Sequence, residues 1–278
     1  MLLGDWIRET KTMLSGFPDL SGGEAQVLAC EVLRQPKSWV ISHPEYVLAR
    51  QQFTHLNLLR ERILTGEPFP YVIGHWEFYG LQFFVSPAVL IPRPETELLV
   101  EHALSWLGKH HRARRVADVG TGSGCIAISI AKNHPGIHLI ATDSSWEALQ
   151  IARQNILQHH LESRIDPLLT SLLAPFHNSF DLICANLPYI PSSKLADLAV
   201  ARHEPLMALD GGQDGLLWIE TLLKMTRLVI QPGGLILLEI EAEQGEQALR
   251  LAEETAKSAA VTLVKDLADK DRLVSIQF

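Results

Sequence analysis

Cysteine is scarce in this sequence of 278 residues, and its three cysteines, Cys30, Cys125 and Cys184, lie far apart. Disulfide frameworks and zinc sites use more cysteines at closer, regular spacings, so we expect neither. Cys125 and Cys184 lie in apolar runs, where a thiol is typically small and buried. The twelve histidines show no metal-ligand spacing either. The sequence therefore predicts no metal site.

Long apolar runs and an excess of basic residues are also missing. No run approaches the roughly 18–20 apolar residues that span a bilayer, and the first residues, with Asp5 and Glu9, do not resemble a signal peptide. The net charge is −8, and residues 75–278, with 17 basic and 24 acidic side chains, carry most of it. A groove that binds nucleic acid usually shows a basic stripe. We expect a soluble, cytoplasmic protein that makes no direct contact with membranes or nucleic acid.

Residues 1–74 have the pattern of short helices that pack into a small bundle. Ser21 and Glu24 predict a capping box at the start of one helix. Pro44 and Glu45 are typical of the first turn of another helix. A helical apolar stripe follows them and ends at Gly66. We expect a helical domain over residues 1–74.

The rest of the sequence changes character twice. Residues 75–90 predict an aromatic hairpin linker around Gly80, and residues 91–97, Ile-Pro-Arg-Pro-Glu-Thr-Glu, predict a stiff elbow before a helix. Helical patterns then separate most of the short apolar runs, which are residues 116–119, 139–142, 165–169, 180–185 and 235–240. This alternation predicts an α/β domain over residues 91–278, with a mostly parallel sheet that ends in an antiparallel hairpin.

The first strand of the predicted sheet runs into a glycine loop, residues 118–124, Asp-Val-Gly-Thr-Gly-Ser-Gly. Alternate glycines allow a tight turn and a close approach of a ligand, and the start of the next helix offers free N–H groups. Asp143 ends the following strand, where an acid accepts hydrogen bonds from both hydroxyls of a ribose. A nucleoside cofactor is therefore predicted to contact Gly120, Thr121, Gly122, Ser123, Gly124 and Asp143.

The position of the third glycine bears on which cofactor binds. A dinucleotide loop has its third glycine where Cys125 stands, whereas here it comes one residue earlier. A loop of this form, preceded by Asp118, resembles the cofactor loop of the seven-stranded methyltransferases. That resemblance implies S-adenosyl-L-methionine as the cofactor.

The strand over residues 180–185 runs into a polar tetrad, Asn186, Leu187, Pro188 and Tyr189. A planar amide nitrogen is a poor nucleophile because its lone pair is delocalised. Two acceptors facing its N–H groups, the side-chain oxygen of Asn186 and the backbone carbonyl of Leu187, would orient the lone pair and stabilise developing positive charge. Pro188 favours an extended Leu187, and Tyr189 can lie against a planar substrate. The alternative is an Asx/Pro turn that only closes the strand.

The tetrad resembles the Asn-Pro-Pro-Tyr motif of N-methyltransferases that act on amides or on adenine N6. Four further stretches, residues 66–71, 77–81, 90–97 and 203–212, resemble the PrmC/HemK family of release factor glutamine methyltransferases. The resemblance implies a seven-stranded, Rossmann-like methyltransferase domain after a helical bundle and a hairpin. It also implies methyl transfer to the side-chain N5 of the glutamine in the Gly-Gly-Gln loop of class I peptide chain release factors. Asn186 would contact both ligands, and the helical bundle would recognise the protein substrate.

The sequence departs from the family pattern at two places. Leu187 replaces the first proline of the tetrad but retains the carbonyl. The family often has an acid near the adenine after the third strand, whereas residues 169–172 here are Leu-Thr-Ser-Leu, which leaves the adenine contacts open. Two alternatives remain, an adenine N6-methyltransferase and a non-catalytic module that binds S-adenosylmethionine; a nicotinamide oxidoreductase fits the glycine loop less well.

Overall fold

The computed structural model describes residues 1–17, 20 and 22–278, which fall into two units, Met1–His75 and Trp76–Phe278. The first unit is helical and consists of α1 (Leu3–Leu14), α2 (Glu24–Leu33), α3 (Lys37–Ser42), α4 (Arg50–Leu64) and α5 (Phe69–Ile73). Its core includes the fully buried side chains of Trp6, Leu28 and Leu56. The capping box predicted at Ser21 lies outside the described residues.

The prediction of a helical turn at Pro44 and Glu45 is wrong. These residues lie between α3 and α4, where the carbonyls of Pro44 and Tyr46 accept hydrogen bonds from the backbone N–H groups of Gly4 (2.9 Å) and Leu3 (2.8 Å). The first N–H groups of a helix have no acceptor within it. The segment after α3 supplies acceptors to α1, and this tertiary pairing overrides the local helix signal.

An aromatic hairpin follows, as predicted, and consists of β1 (His75–Phe78) and β2 (Leu81–Phe84). Tyr79 and Gly80 connect the strands with φ angles of +52° and +69°. Two successive positive φ angles are typical of the two-residue turns that match the twist of a hairpin. The elbow contains a short 3₁₀ turn, Pro94–Thr96, and leads into α6 (Glu97–Lys109).

The second unit contains a seven-stranded sheet. Its strands are β3 (Arg115–Val119), β4 (His138–Asp143), β5 (Ile165–Leu169), β6 (Phe180–Ala185), β7 (Ile230–Glu239), β8 (Ala260–Lys265) and β9 (Asp271–Gln277). The helices between them are α7 (Cys125–Asn133), α8 (Trp146–Gln158), α9 (Leu217–Val229) and α10 (Gly245–Thr255). The strand order is β5-β4-β3-β6-β7-β9-β8, with β3 to β7 parallel and β9 antiparallel to both neighbours.

This arrangement confirms the predicted α/β methyltransferase fold. Ile236 and Leu237 are neighbours in β7 but belong to different clusters of buried side chains, because successive side chains of a strand point to opposite faces. Both faces of the sheet are therefore covered. None of the helices in the described part of the chain is both long and apolar enough to cross a membrane.

The strand order reverses between β3 and β6. The chain moves outward from β3 through β4 to β5 and then returns to the other side of β3. Ligands of open α/β sheets bind outside the carboxyl ends of the strands at such a point. The fold thus singles out the segments that follow β3 and β6.

Candidate active site

The glycine loop and the polar tetrad leave the sheet side by side. Val119 pairs with Ala185 in the register of β3 and β6, so Gly120 and Asn186 are the next residues on neighbouring strands. Gly120 has a φ of +72°, and a Cβ atom there would lie 3.0 Å from Cδ2 of Leu187. The backbone conformation favours glycine at this position, and the tetrad lies close enough to limit the space for a side chain.

A cavity of about 620 Å³ lies at this edge of the sheet. Most of the predicted site residues line it, namely Gly120, Thr121, Gly122, Ser123, Asp143, Asn186, Leu187 and Pro188. The structure therefore brings the predicted cofactor residues and the first three tetrad residues around one space. The volume is within the range of small-molecule sites, about 300–1,000 Å³.

Gly124 and Tyr189 are predicted site residues that lie away from the cavity wall. A Cβ atom at Gly124, whose φ is +82°, would be 3.2 Å from Cδ1 of Ile128, so this glycine allows close packing at the start of α7. The backbone carbonyl of Tyr189 accepts a hydrogen bond of 2.9 Å from Nε2 of Gln244, and burial raises the pKa of Tyr189. The ligand contacts of Gly124 and Tyr189 stay predictions.

Four of the five backbone N–H groups in residues 120–124 are occupied by the protein itself, whereas the groups expected to be free are those at the start of α7. The N–H groups of Gly120 and Thr121 both donate to the carbonyl of Thr142 at 2.9 Å, and that of Gly122 donates to Oδ2 of Asp143 at 2.9 Å. The N–H of Gly124 donates within the loop at 2.8 Å. The loop closes on the end of β4 and offers few donors to an anionic ligand.

Two carboxyl groups hold this loop. Asp118 is fully buried, and its Oδ2 accepts hydrogen bonds from the Thr121 hydroxyl (2.6 Å) and the Ala127 N–H (3.1 Å). Burial raises the pKa of Asp118 to about 6, although these two donors act against the rise. Asp143 accepts from Gly122 through one oxygen and from the Ser145 N–H (2.9 Å) through the other. Burial raises the pKa of Asp143 too, and Asp143 differs from Asp118 in facing the cavity.

The elbow over residues 91–97 forms another wall of the cavity through Pro92, Arg93 and Thr96. It is tied to the segment over residues 203–212 by Glu204, a buried side chain that pairs with Arg93 and accepts a hydrogen bond of 3.0 Å from the Ile91 N–H. Sequence reasoning assigned no site role to these residues. The elbow and the segment that contains Glu204 both belong to stretches that carry the family resemblance. This shared membership is the sequence signal that could have identified them.

Asn186 is oriented by the elbow. Its Nδ2 donates a hydrogen bond of 3.1 Å to Oγ1 of Thr96, which is almost completely buried. The amide oxygen of Asn186 is thereby left for a ligand. Among the described residues none donates to the backbone carbonyl of Leu187, so two acceptors are available at neighbouring positions of the tetrad.

The segment after β5, whose adenine contacts the sequence left open, also lines the cavity. Thr170, Ser171 and Leu172 are part of the wall, and the N–H of Thr170 donates to the carbonyl of Asp143 at 3.0 Å. This hydrogen bond places the segment directly beside Asp143. Among the described residues, no three or more histidine, cysteine or acidic side chains are grouped so that they could hold a metal ion.

Comparisons with known proteins agree with the fold and extend over both units. The model of the PrmC N-terminal domain matches residues 5–74, and that of the methyltransferase small domain matches residues 94–203. A protein of Bacillus cereus named release factor glutamine methyltransferase is 33% identical over 263 residues, which are 92% of each chain. A protein of the same name from Xylella fastidiosa is 39% identical over 257 residues, 90% of each chain. The chain belongs to the release factor glutamine methyltransferase family.

Solved structures of other methyltransferases share the fold of this family member. A methyltransferase from Pyrococcus furiosus covers 82% of this chain and 98% of its own, with a TM-score of 0.52 and 17% identity. At this identity the likeness concerns the fold alone.

Proposed function

We propose that this protein transfers a methyl group from S-adenosyl-L-methionine to the side-chain amide N5 of the glutamine in the Gly-Gly-Gln motif of class I peptide chain release factors. The observation that carries the proposal is the oriented amide of Asn186 beside the glycine loop, in a member of this family. The named relatives do not favour the two alternatives, adenine methylation and a non-catalytic role.

The residues around the cavity fit S-adenosylmethionine, which supplies an electrophilic methyl group bound to a positively charged sulfur. Most N–H groups of residues 120–124 are engaged by the protein, so the loop itself offers few of the free donors that hold a pyrophosphate. The Asp143 carboxylate faces the cavity and suits a ribose. A Cβ atom at Gly122 would meet no protein atom within 4 Å, so the cavity approaches the backbone closely there. Residues 120–123 and Asp143 would hold the cofactor, and Thr170 and Ser171 would border its adenine.

The tetrad would bind and activate the glutamine amide. One N–H of the substrate would donate to Oδ1 of Asn186 and the other to the carbonyl of Leu187. These two hydrogen bonds fix the amide plane, so that the nitrogen lone pair is directed at the reacting carbon. As the nitrogen becomes positive in the transition state, both acceptors interact more strongly with its hydrogens and lower the barrier.

The helical unit would provide the surface that recognises the protein substrate. A stable, specific interface buries about 1,200–2,000 Å² in total, which is more than a short loop in a cavity supplies. Residues 1–74, which include the match to the PrmC N-terminal domain, are the available candidate. The hairpin over residues 75–90 would act as the linker and residues 91–278 as the methyltransferase domain. We also propose a cytoplasmic location and a substrate that is protein and not nucleic acid.

Mass spectrometry of a release factor tests the function. A purified class I release factor is incubated with the full chain and S-adenosylmethionine, digested, and analysed for one added methyl group on the loop glutamine. A factor with this glutamine replaced by alanine is the control, and DNA and transfer RNA are offered in parallel with a radioactive methyl donor. An unmethylated glutamine, or label found in nucleic acid, would overturn the proposal.

A further inference from the structure

A buried acid lies close to the site without contacting either ligand in the proposed mechanism. Glu239 is the last residue of β7 and is only 1% exposed. Neither of its carboxylate oxygens makes a hydrogen bond of ordinary geometry to any residue that the structure describes. Burying a carboxyl group without partners is costly, so its presence at this place calls for a functional explanation.

Glu239 lies beside both Asn186 and Thr96. The register of β6 and β7 pairs Ala185 with Leu238, which makes Asn186 and Glu239 the next neighbours at the carboxyl edge of the sheet. Burial raises the pKa of Glu239 to about 7, and the nearby Thr96 hydroxyl acts against this rise, although it forms no hydrogen bond of ordinary geometry to the carboxylate. The Thr96 hydroxyl is therefore the donor available to the Glu239 carboxylate, which has no other hydrogen-bond donor among the described residues.

The Thr96 hydroxyl has one hydrogen and two lone pairs, so its orientation decides that of Asn186. When the hydrogen points to the Glu239 carboxylate, the lone pairs are free to accept from Nδ2 of Asn186, as observed at 3.1 Å. The oxygen of the Asn186 amide then remains for the substrate. If the hydroxyl instead donated to Asn186, the amide would turn and present its NH₂ group, which cannot accept from a substrate N–H.

We propose that Glu239 and Thr96 are positioning residues that fix which end of the Asn186 amide faces the substrate. The inference rests on the proposed function and deepens it. Glu239 touches neither ligand in this scheme and acts only through Thr96 and Asn186. The negatively charged form of Glu239 is the active one, because a carboxylate can only accept from Thr96. A protonated Glu239 can donate to Thr96 instead, which frees the hydroxyl hydrogen and allows the direction of both hydrogen bonds to reverse.

The charged groups around Glu239 set the pH at which this reversal occurs. Arg272 on β9 lowers the pKa of Glu239, whereas Glu95 in the elbow and Glu241 after β7 raise it. Tyr189 also faces Glu239, and its own raised pKa keeps it neutral. The balance leaves the pKa of Glu239 at about 7. The orientation of Asn186 is therefore expected to change around neutral pH.

The proposed effect of Glu239 on Asn186 through Thr96 is called the relay below. Nuclear magnetic resonance of the Asn186 side-chain amide tests this relay without any substrate. The NH₂ signal of Asn186 is assigned by its loss in Asn186→Ala and is followed against pH in the full chain. We expect it to shift with a midpoint near the pKa of Glu239, and to stay still over the same range in Glu239→Gln. A signal that does not shift in the wild type, or that shifts equally in Glu239→Gln, overturns the proposal whether or not release factor is methylated.

Kinetics with paired variants of Thr96 provide the second test. Thr96→Val keeps the shape of the side chain and removes the hydroxyl, and we expect kcat to fall about 10- to 100-fold with KM and cofactor affinity nearly unchanged. Thr96→Ser restores the hydroxyl and is expected to recover most of this rate. In the wild type kcat should fall below about pH 7, and in Glu239→Gln it should be independent of pH in this range, because glutamine does not titrate.

The outcomes separate this inference from the proposed function. A wild-type chain that leaves the release factor unmethylated contradicts the function, and the resonance experiment still decides the relay. A wild-type rate in Thr96→Val, or a loss in Thr96→Ser as large as that in Thr96→Val, contradicts the relay alone.

Discussion

Asp143 combines two tasks at the edge of the cavity. Its oxygens hold the N–H groups of Gly122 and Ser145 at 2.9 Å each, and its charge faces the space in which a ribose would bind. Each carboxylate oxygen has a second lone pair, so the structural hydrogen bonds leave acceptors for two ribose hydroxyls. The residue links the shape of the glycine loop to the binding of the cofactor.

Replacing Asp143 should weaken cofactor binding. Asp143→Asn removes the charge and one acceptor, and a hydrogen bond to a charged group contributes about 1.5–3 kcal/mol, so we expect at least a tenfold loss of affinity. Titration calorimetry with S-adenosylmethionine measures it, with circular dichroism to verify the fold. Asp166→Asn on β5, where the side chain is exposed, is the matched control. Equal affinities of the two variants would remove Asp143 from the site.

Variants of Asn186 and Leu187 should affect the rate of methyl transfer and the stability of the protein separately. Asn186→Ala removes one positioned acceptor, so kcat and kcat/KM should fall together by about 10²–10³ with little change in stability. Leu187→Pro retains the carbonyl and stiffens the tetrad, so its rate should be near the wild-type value or slightly higher. It should lower stability instead, since the buried leucine side chain is lost at about 0.8 kcal/mol per methylene. Single-turnover kinetics and urea unfolding measure both quantities; a wild-type rate in Asn186→Ala would contradict the amide mechanism.

Among the elements, the elbow and the segment over residues 203–212 act as one wall. Glu204 joins them through Arg93 and the Ile91 N–H, and the wall then continues into a short pairing of Ile190 with Asp210. The tetrad is thus held from the side of the elbow and from the side of the later segment. The tetrad segment and the stretches over residues 90–97 and 203–212 are therefore in contact in the folded chain.

The ion pair between Arg93 and Glu204 should stabilise this wall more than a surface pair would. Glu204→Gln can still accept from the Ile91 N–H but loses the charge that Arg93 pairs with, and we expect a loss of about 1–3 kcal/mol because the carboxylate is buried. Glu246→Gln breaks the exposed pair with Arg250 on α10 and should cost under about 1 kcal/mol. Urea unfolding compares them. Losses of the same size would show that the wall pair contributes no more than a surface one.

On the scale of the molecule, the stability should decrease as the pH rises from about 4 to about 7. Burial raises the pKa of Asp118 to about 6 and that of Glu239 to about 7, whereas an unfolded acid titrates near 4. Over this range the folded state binds more protons than the unfolded state, so the free energy of unfolding falls with pH and then levels off.

The variants Asp118→Asn and Glu239→Gln isolate this effect. The hydrogen bonds of Asp118 both use Oδ2, so the asparagine oxygen can keep them. We expect a smaller difference in unfolding free energy between about pH 5 and about pH 8 in each variant than in the wild type, measured by urea denaturation. Parallel pH curves for wild type and variants would contradict the burial of these charges as the cause.

Changes on the surface of the helical unit should lower the rate of methylation of intact release factor but not that of a short peptide. Ile41 and Val47 are large apolar side chains that are exposed on this unit, and such residues often anchor interfaces. Replacing both by serine should lower kcat/KM for intact release factor at least about tenfold, with no change for a short Gly-Gly-Gln peptide. Leu267→Ser, at an exposed position between β8 and β9, is the matched control. Equal losses on peptide and intact factor would assign the unit a structural role.

The sequence by itself determined the elements and the parts of the site that lie next to one another in the chain. Alternating apolar runs and helical patterns define the sheet, because each strand and helix must bury a face whatever its neighbours are. The glycine loop and the tetrad are recognisable because each is a continuous segment after a strand. Their meeting follows from the fold class, since the carboxyl ends of parallel strands share one edge.

Only the tertiary structure decided how distant residues complete the site. The hydrogen bond between Asn186 and Thr96 joins positions 90 residues apart, and the pair of Arg93 and Glu204 spans 111 residues. Such contacts follow no local periodicity, because they depend on which loops converge at the sheet edge. The same reason explains why N–H groups of the glycine loop donate to the end of β4. It also explains why the segment at Pro44 accepts hydrogen bonds from the start of α1. A backbone group takes whichever acceptor the folded chain brings near, and local sequence does not specify it.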